Sequence, residues 1–353
     1  MNNQEYFLGS ASPEGFKSAF DKQIFDSGCF TYIIKGTAGS GKSTLMKKLA
    51  EAFPNESKDI YYCSADPFSV DAVHLKDKGI IIVDGTSPHV FEPKYPCAEQ
   101  VIVDAGACLE KNMLYSRRKE IVAVTDEYSQ CHLRCRRYLS ALSSVAADMA
   151  QAGRYALLRD KLDGFTQRMS KRLMPKKHGA DEGSITYRSL SAVTPEGYMT
   201  RELTGYNVYL LADDYFVGAD EFLHEFSELA VRRGYDIVVS CSYVHSPVMY
   251  EHILIPETKT ALISVNTVCR PEIKNYRPIN FKRFYDKAKI VQKKVRIRFD
   301  RRACVDLLSE AVSSLVSAKK IHDRLEEIYI SAADFNEMNR LTYRLISDIK
   351  SKT

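Results

Sequence analysis

Phe30-Thr31-Tyr32-Ile33-Ile34-Lys35 runs directly into Gly36-Thr37-Ala38-Gly39-Ser40-Gly41-Lys42-Ser43-Thr44. The first six residues, β-branched and aromatic, predict a short buried strand of a parallel sheet. Residues 36–43 spell a complete G-x-x-x-x-G-K-[ST]. Beyond Thr44, Leu45, Met46, Leu49, Ala50 and Phe53 share one helical face, and Pro54 ends the run. Strand, glycine-rich turn and helix start, in that order, predict a phosphate-binding loop. Glycines let the backbone turn tightly and approach oxygen atoms. The first amides of the helix point at an anion, and the helix dipole favours negative charge there. Lys42 supplies a flexible cation for the β- and γ-phosphates, and Ser43 a hydroxyl for Mg²⁺.

A second strand ending in an acid is expected downstream, and Ile80-Ile81-Ile82-Val83-Asp84 fits it. Asp84 is assigned to the metal together with Ser43, the alternative being a turn cap before Ser87-Pro88. Lys42 and Asp84 are the candidate catalytic residues, and Gly36 to Thr44 the candidate nucleotide-binding residues. Many fast ATPases place a Glu after this acid to position water; here Gly85 follows, and His89 is the nearest titratable alternative. No N-K-x-D guanine signature is found, so ATP is preferred over GTP as ligand.

Working outward, the chain repeats itself. Ser12-Pro13-Glu14-Gly15-Phe16 recurs as Thr194-Pro195-Glu196-Gly197-Tyr198, and Ile80–Val83 is echoed by Ala261–Ser264. The second copy lacks the loop: Ala212-Asp213-Asp214-Tyr215-Phe216-Val217-Gly218-Ala219 stands in its place, Val265 replaces the strand-end acid, and two aspartates repel phosphate. A coincidence of common α/β patterning is the alternative to a true repeat. The expected organisation is a loop-bearing domain over 1–173, a linker over 174–186 rich in Pro, Lys and Gly, and a degenerate domain over 187–353. The fold class is α/β, a parallel sheet with flanking helices followed by a degenerate copy of it. Helical segments near 117–172 and 303–350 are expected to pack together.

These residues resemble an uncharacterised bacterial family of tandem P-loop ATPase-like proteins, two fused nucleotide-triphosphatase domains. Phe7-Leu8-Gly9, Ser12–Phe16, Gly36–Lys48, Asp84–His89, Thr194–Gly197 and Ile321-His322-Asp323 carry the resemblance, which spans nearly the whole chain. It implies a P-loop fold and nucleotide binding and supplies no substrate. Both copies can carry a loop in that family; the second does not here.

The composition agrees with a folded protein. The 353 residues are 45% hydrophobic and 27% charged, the ordinary globular range, and about two domains long. No apolar run approaches the roughly 18–20 residues of a membrane span. Nine scattered cysteines without a CxxC predict free thiols and a reducing, cytoplasmic setting. The formal charge of +5 suits an anionic ligand without demanding nucleic acid. Cys131, His132 and Cys135 lack a fourth metal ligand. Arg117 and Arg118 are candidate charge-stabilising arginines, with a surface pair as the alternative. Basic residues from Lys287 to Arg302 alternate with Val295, Ile297 and Phe299, which predicts one packed and one cationic face, a surface for protein or nucleic acid or a solvated one.

Three functions follow as expectations. The first is Mg-ATP binding with slow hydrolysis driving a conformational switch. The second is phosphoryl transfer to a small molecule, compatible with the missing Glu. The third is a nucleotide-sensing scaffold that binds nucleic acid or protein without turnover.

Overall fold

Short strands rich in Ile, Val and Tyr build two six-stranded sheets, and long amphipathic segments build the helices. The computed structural model describes residues 3–20, 28–87, 90–177, 179 and 181–352. The strands are β1 (Gln4–Phe7), β2 (Ser10–Ser12), β3 (Gly15–Lys17), β4 (Phe30–Lys35), β5 (Lys58–Tyr62), β6 (Val70–Leu75), β7 (Ile80–Asp84) and β8 (Gln100–Asp104), then β9 (Ile185–Tyr187), β10 (Ser191–Thr194), β11 (Gly197–Thr200), β12 (Asn207–Ala212), β13 (Ile237–Ser242), β14 (Met249–Ile255), β15 (Thr260–Val265) and β16 (Tyr276–Asn280). The helices are α1 (Lys42–Ala52), α2 (Lys111–Ser116), α3 (Arg118–Ala156), α4 (Arg159–Leu173), α5 (Val217–Arg232), α6 (Lys287–Gln292), α7 (Lys294–Ile330) and α8 (Phe335–Ser351).

The first sheet has the order β1-β5-β6-β7-β4-β8 and the second β9-β13-β14-β15-β12-β16. Strand for strand, order and sense match: in each sheet the first pair is parallel, the next two antiparallel and the last two parallel. The repeat read from the sequence is therefore a repeat of topology. The all-parallel expectation is corrected, because both sheets are mixed. The reason is connection length. Only residues 63–69 join β5 to β6 and only 76–79 join β6 to β7, too few for a crossover of a dozen or more residues, so the chain must reverse.

The chain forms two compact units. The first comprises Met1–Gly9, Ser18–Arg134 and Ser313–Thr353, and the second Ser10–Lys17 and Cys135–Val312. Each repeat thus gives segments to both. In the first unit the sheet face of Tyr32, Ile34, Ile80 and Ile82 packs on Leu45, Met46 and Leu49 of α1 and on Met338, Leu345 and Ile349 of α8. Each of these buried aliphatic side chains contributes about 1.5–3 kcal/mol of burial. The Tyr32 hydroxyl donates to Asp348, which fastens α8 to the sheet. Val124 and Cys131 of α3 pack on Ala318, Ile321 and Leu325 of α7, part of the helix packing expected from the sequence.

In the second unit α4 packs on α5, with the Phe165 and Phe222 rings 5.7 Å apart and Arg159 bridging to Glu221 at 2.7 Å. Among the described residues no helix is long and apolar enough to cross a membrane.

Candidate functional site

The chain leaves β4 at Lys35 and turns through residues 36–41 into α1. Gly39 and Gly41 hold left-handed φ values of 67° and 90°, which side chains rarely adopt. The first α-helical bond runs from the Leu45 amide to the Gly41 carbonyl at 2.9 Å, and no side chain caps the helix start. The amides of Lys42, Ser43 and Thr44 therefore stand in the unpaired first turn, where a helix attracts an anion. Inside the loop, the Ser40 hydroxyl donates to the Thr37 carbonyl at 2.9 Å and Lys42 Nζ donates to the same oxygen at 2.6 Å.

Lys42 Nζ also lies 3.6 Å from Asp84 Oδ2. This follows from strand adjacency: β7 pairs parallel with β4, and Asp84 stands beside Ile34 at the edge where the loop begins. Asp84 Oδ1 accepts the Thr86 amide at 2.9 Å and the Thr86 hydroxyl, which fixes its orientation. A Cβ on Gly85 would lie 2.4 Å from Ile33 Cγ2, so the position after Asp84 has no room for a glutamate. His89 lies outside the described residues.

Ser43 Oγ accepts the Val70 amide at 3.0 Å, which draws the start of β6 to the loop. The next residue, Asp71, is 6% exposed and follows Val70 at the start of β6. Sequence reading missed it, since Asp71 lies in no motif.

The end of α7 and the start of α8 rest on the loop. A Cβ on Gly39 would meet the Glu326 carbonyl at 2.8 Å, and Met338 Cγ lies 3.4 Å from the Cβ position of Gly41. Ala38 packs with Ile121, Tyr128 and Tyr329 on the α3–α7 cluster. His132 and His322 flank the Tyr128 ring at 4.5 and 5.7 Å, and burial lowers the affinity of both imidazoles for a proton. Arg117 pairs with Glu120 at 2.9 Å and Arg118 stacks on Tyr115, both at the exposed start of α3.

In the second repeat the corresponding turn is shorter, only residues 213–216 between β12 and α5. Here Asp213 turns inward. Its carboxylate accepts the amides of Tyr215 at 3.0 Å and Ala219 at 2.9 Å and the Tyr285 hydroxyl at 2.9 Å, while the same hydroxyl accepts the Gly218 amide at 2.8 Å. Burial pushes the Asp213 carboxyl up to about 6, against the downward pull of these donors. The Asp213 carboxylate thus takes amide donors at the helix start. Ser264 and uncharged Val265 end β15, the counterpart of β7.

Glu251, His252 and Cys269 form a buried group of ligand-type side chains in the second unit. His252 Nδ1 accepts the Ser264 amide at 3.3 Å, so Nε2 carries the proton and donates to Ser191 Oγ at 2.7 Å. Glu251 accepts the Tyr198 hydroxyl at 2.8 and 3.0 Å. The group is a satisfied hydrogen-bond network, with no lone pair on Nε2 for a cation. The Cys131, His132 and Cys135 stretch is helical, with both thiols buried.

The segment 287–302 is helical, so its expected alternation is corrected. Helical spacing puts Val295 and Phe299 together, 84% and 69% exposed, while Ile297 turns inward. Arg296 pairs with Asp148 and Arg301 with Asp214.

Comparison of the chain with protein families, curated proteins and solved structures finds no match.

Proposed function

We propose that this protein is a P-loop ATPase that binds Mg-ATP at Gly36–Thr44 and hydrolyses it slowly to drive a conformational switch. The observation that carries the reading is the 3.6 Å approach of Lys42 to Asp84 across adjacent parallel strands, at a helix start with unpaired amides. The amides and Lys42 hold the phosphates and offset the charge that grows on them as the terminal phosphoryl group departs. Ser43 Oγ and the Asp84 carboxylate are hard oxygen donors at one edge and fit Mg²⁺, with water and phosphate oxygens completing its shell. When bound, Mg²⁺ supplies further charge neutralisation on the phosphates.

The switch reading rests on the α7–α8 corner. Its contacts with Gly39 and Gly41 leave the loop little freedom to adjust to a ligand without moving the helices. Free thiols at all nine cysteines fit a cytoplasmic setting. A second reading, docking of a protein or nucleic-acid partner, is favoured at α7 by Val295 and Phe299 exposed among Lys294, Arg298 and Arg302.

Equilibrium titration with a fluorescent ATP analogue and Mg²⁺ tests the assignment. Lys42→Ala is expected to weaken binding at least ~100-fold, about 2.7 kcal/mol. Binding within threefold of the wild type in that variant overturns it.

A further inference from the structure

Gly85 leaves no carboxylate in line after Asp84, yet hydrolysis needs a group to take the proton of the attacking water. The acids of this region have partners: Asp59 lies with Lys76 at 2.9 Å, Asp66 with Lys319 at 3.4 Å, Glu92 with Lys35 at 2.7 Å, and Asp71 is hydrogen-bonded to the Cys63 thiol. Asp71 differs in placement. It directly follows Val70, whose amide holds Ser43 Oγ. Tyr61 pairs with Ala72 and Tyr62 with Val70, so Asp71 is the extra residue of a β-bulge, a device that re-aims a side chain. Ala72 pairs on the other side with Val83, the residue before Asp84. Burial first, and the charge of Asp71 second, hold the Cys63 thiol well above its usual range. Asp71 also helps push up the phenol of Tyr128, the residue packed with Ala38 of the loop.

The second repeat keeps this device. A bulge opposite Ser240 and Cys241 carries Glu251 between Tyr250 and His252. There the acid is bound by Tyr198, beside a turn already filled by Asp213. An acid at this bulge thus belongs to the repeated design, and its role differs where the loop is lost.

We propose that Asp71 is the catalytic base for ATP hydrolysis at the Gly36–Thr44 loop, an inference that rests on the nucleotide reading above. The Asp71 carboxylate accepts a proton from a water molecule as the water oxygen bonds to the γ-phosphorus. The bond from that phosphorus to the β,γ-bridging oxygen breaks, and ADP leaves with the electron pair. Asp71 then releases its proton to inorganic phosphate or solvent, so no other reactant is consumed.

The test separates binding from turnover. Asp71→Asn is expected to bind ATP within threefold of the wild type, by fluorescence titration, and to release phosphate at least ~100-fold more slowly. Asp71→Glu, which keeps the charge and displaces it by one methylene, is expected to fold, bind ATP and turn over at least ~10-fold more slowly. Turnover within threefold of the wild type in either variant overturns the role of Asp71 alone. A wild-type complex with ADP and aluminium fluoride gives an independent readout. A water in line with the aluminium and hydrogen-bonded to Asp71 supports the proposal, and one bonded elsewhere overturns it. A wild-type chain that binds no ATP overturns the nucleotide reading, and this inference with it.

Discussion

The Asp213 carboxylate accepts the Ala219 amide at 2.9 Å, so the start of α5 carries its own anion. At the start of α1 no side chain caps the helix. The two repeats therefore share a strand–turn–helix frame and differ in whether a carboxylate of the turn takes the amides of the helix start. If the proposed function holds, ATP binds with a stoichiometry of one per chain, read by calorimetric titration. Asp213→Ala keeps that stoichiometry, since the second turn is also too short, and lowers stability by about 1–3 kcal/mol because buried amides lose their acceptor. Two bound nucleotides per chain would contradict the assignment of the second repeat.

Gly85→Ala is expected to destabilise the protein by about 1–3 kcal/mol through overpacking against Ile33. The same change displaces Asp84 and weakens Mg-ATP binding. Urea unfolding and nucleotide titration on one preparation measure both effects, and an unshifted unfolding midpoint contradicts the steric argument.

Glu251 gives a pH signature. Burial raises its carboxyl to about 7 in the folded chain, against roughly 4.3 when unfolded. Between these values the folded state holds a proton that the unfolded state has released. The contribution of Glu251 to stability is thus full below about pH 4 and is lost as pH rises through about 7. The neighbouring His252, lowered by burial to about 3, stays neutral across the window in the folded state. Glu251→Gln removes the loss. Its melting temperature, relative to wild type, is expected to rise from pH 5 to about pH 7 and to level off above that. A constant difference across that range means that Glu251 does not titrate there.

Coupling between the loop and the α7–α8 corner is testable by hydrogen exchange. Mg-ATP is expected to change amide protection over residues 326–338, and Lys42→Ala to abolish that change. Identical protection with and without nucleotide in the wild type rules out the switch through this corner.

Much of the site was legible because it is local. Glycines, lysine and serine at fixed spacing after an apolar strand specify a turn and a helix start whatever surrounds them, and Gly36–Ser43 folds accordingly. Asp84 was legible because an acid ending an apolar strand lies at the strand's edge. Asp71 was not, because its place depends on a bulge and on pairing to β7, relations that no spacing in the chain records. The basic segment misled for a related reason: strand-like alternation and helical spacing both suit residues 293–302, and packing chose the helix.

The sequence by itself determined a strand–loop–helix with a cationic lysine, an α/β repeat, and a second copy stripped of its loop. Local backbone preference and side-chain chemistry suffice for these. Tertiary structure alone decided that Asp213 fills the second turn, that the α7–α8 corner lies on the first, and which unit each terminal helix joins. The last helix of the first repeat packs on α5, and the last helix of the second packs on α1. An amphipathic helix specifies that it must bury an apolar face; which of two similar sheet–helix surfaces receives that face depends on shape and contacts made far along the chain.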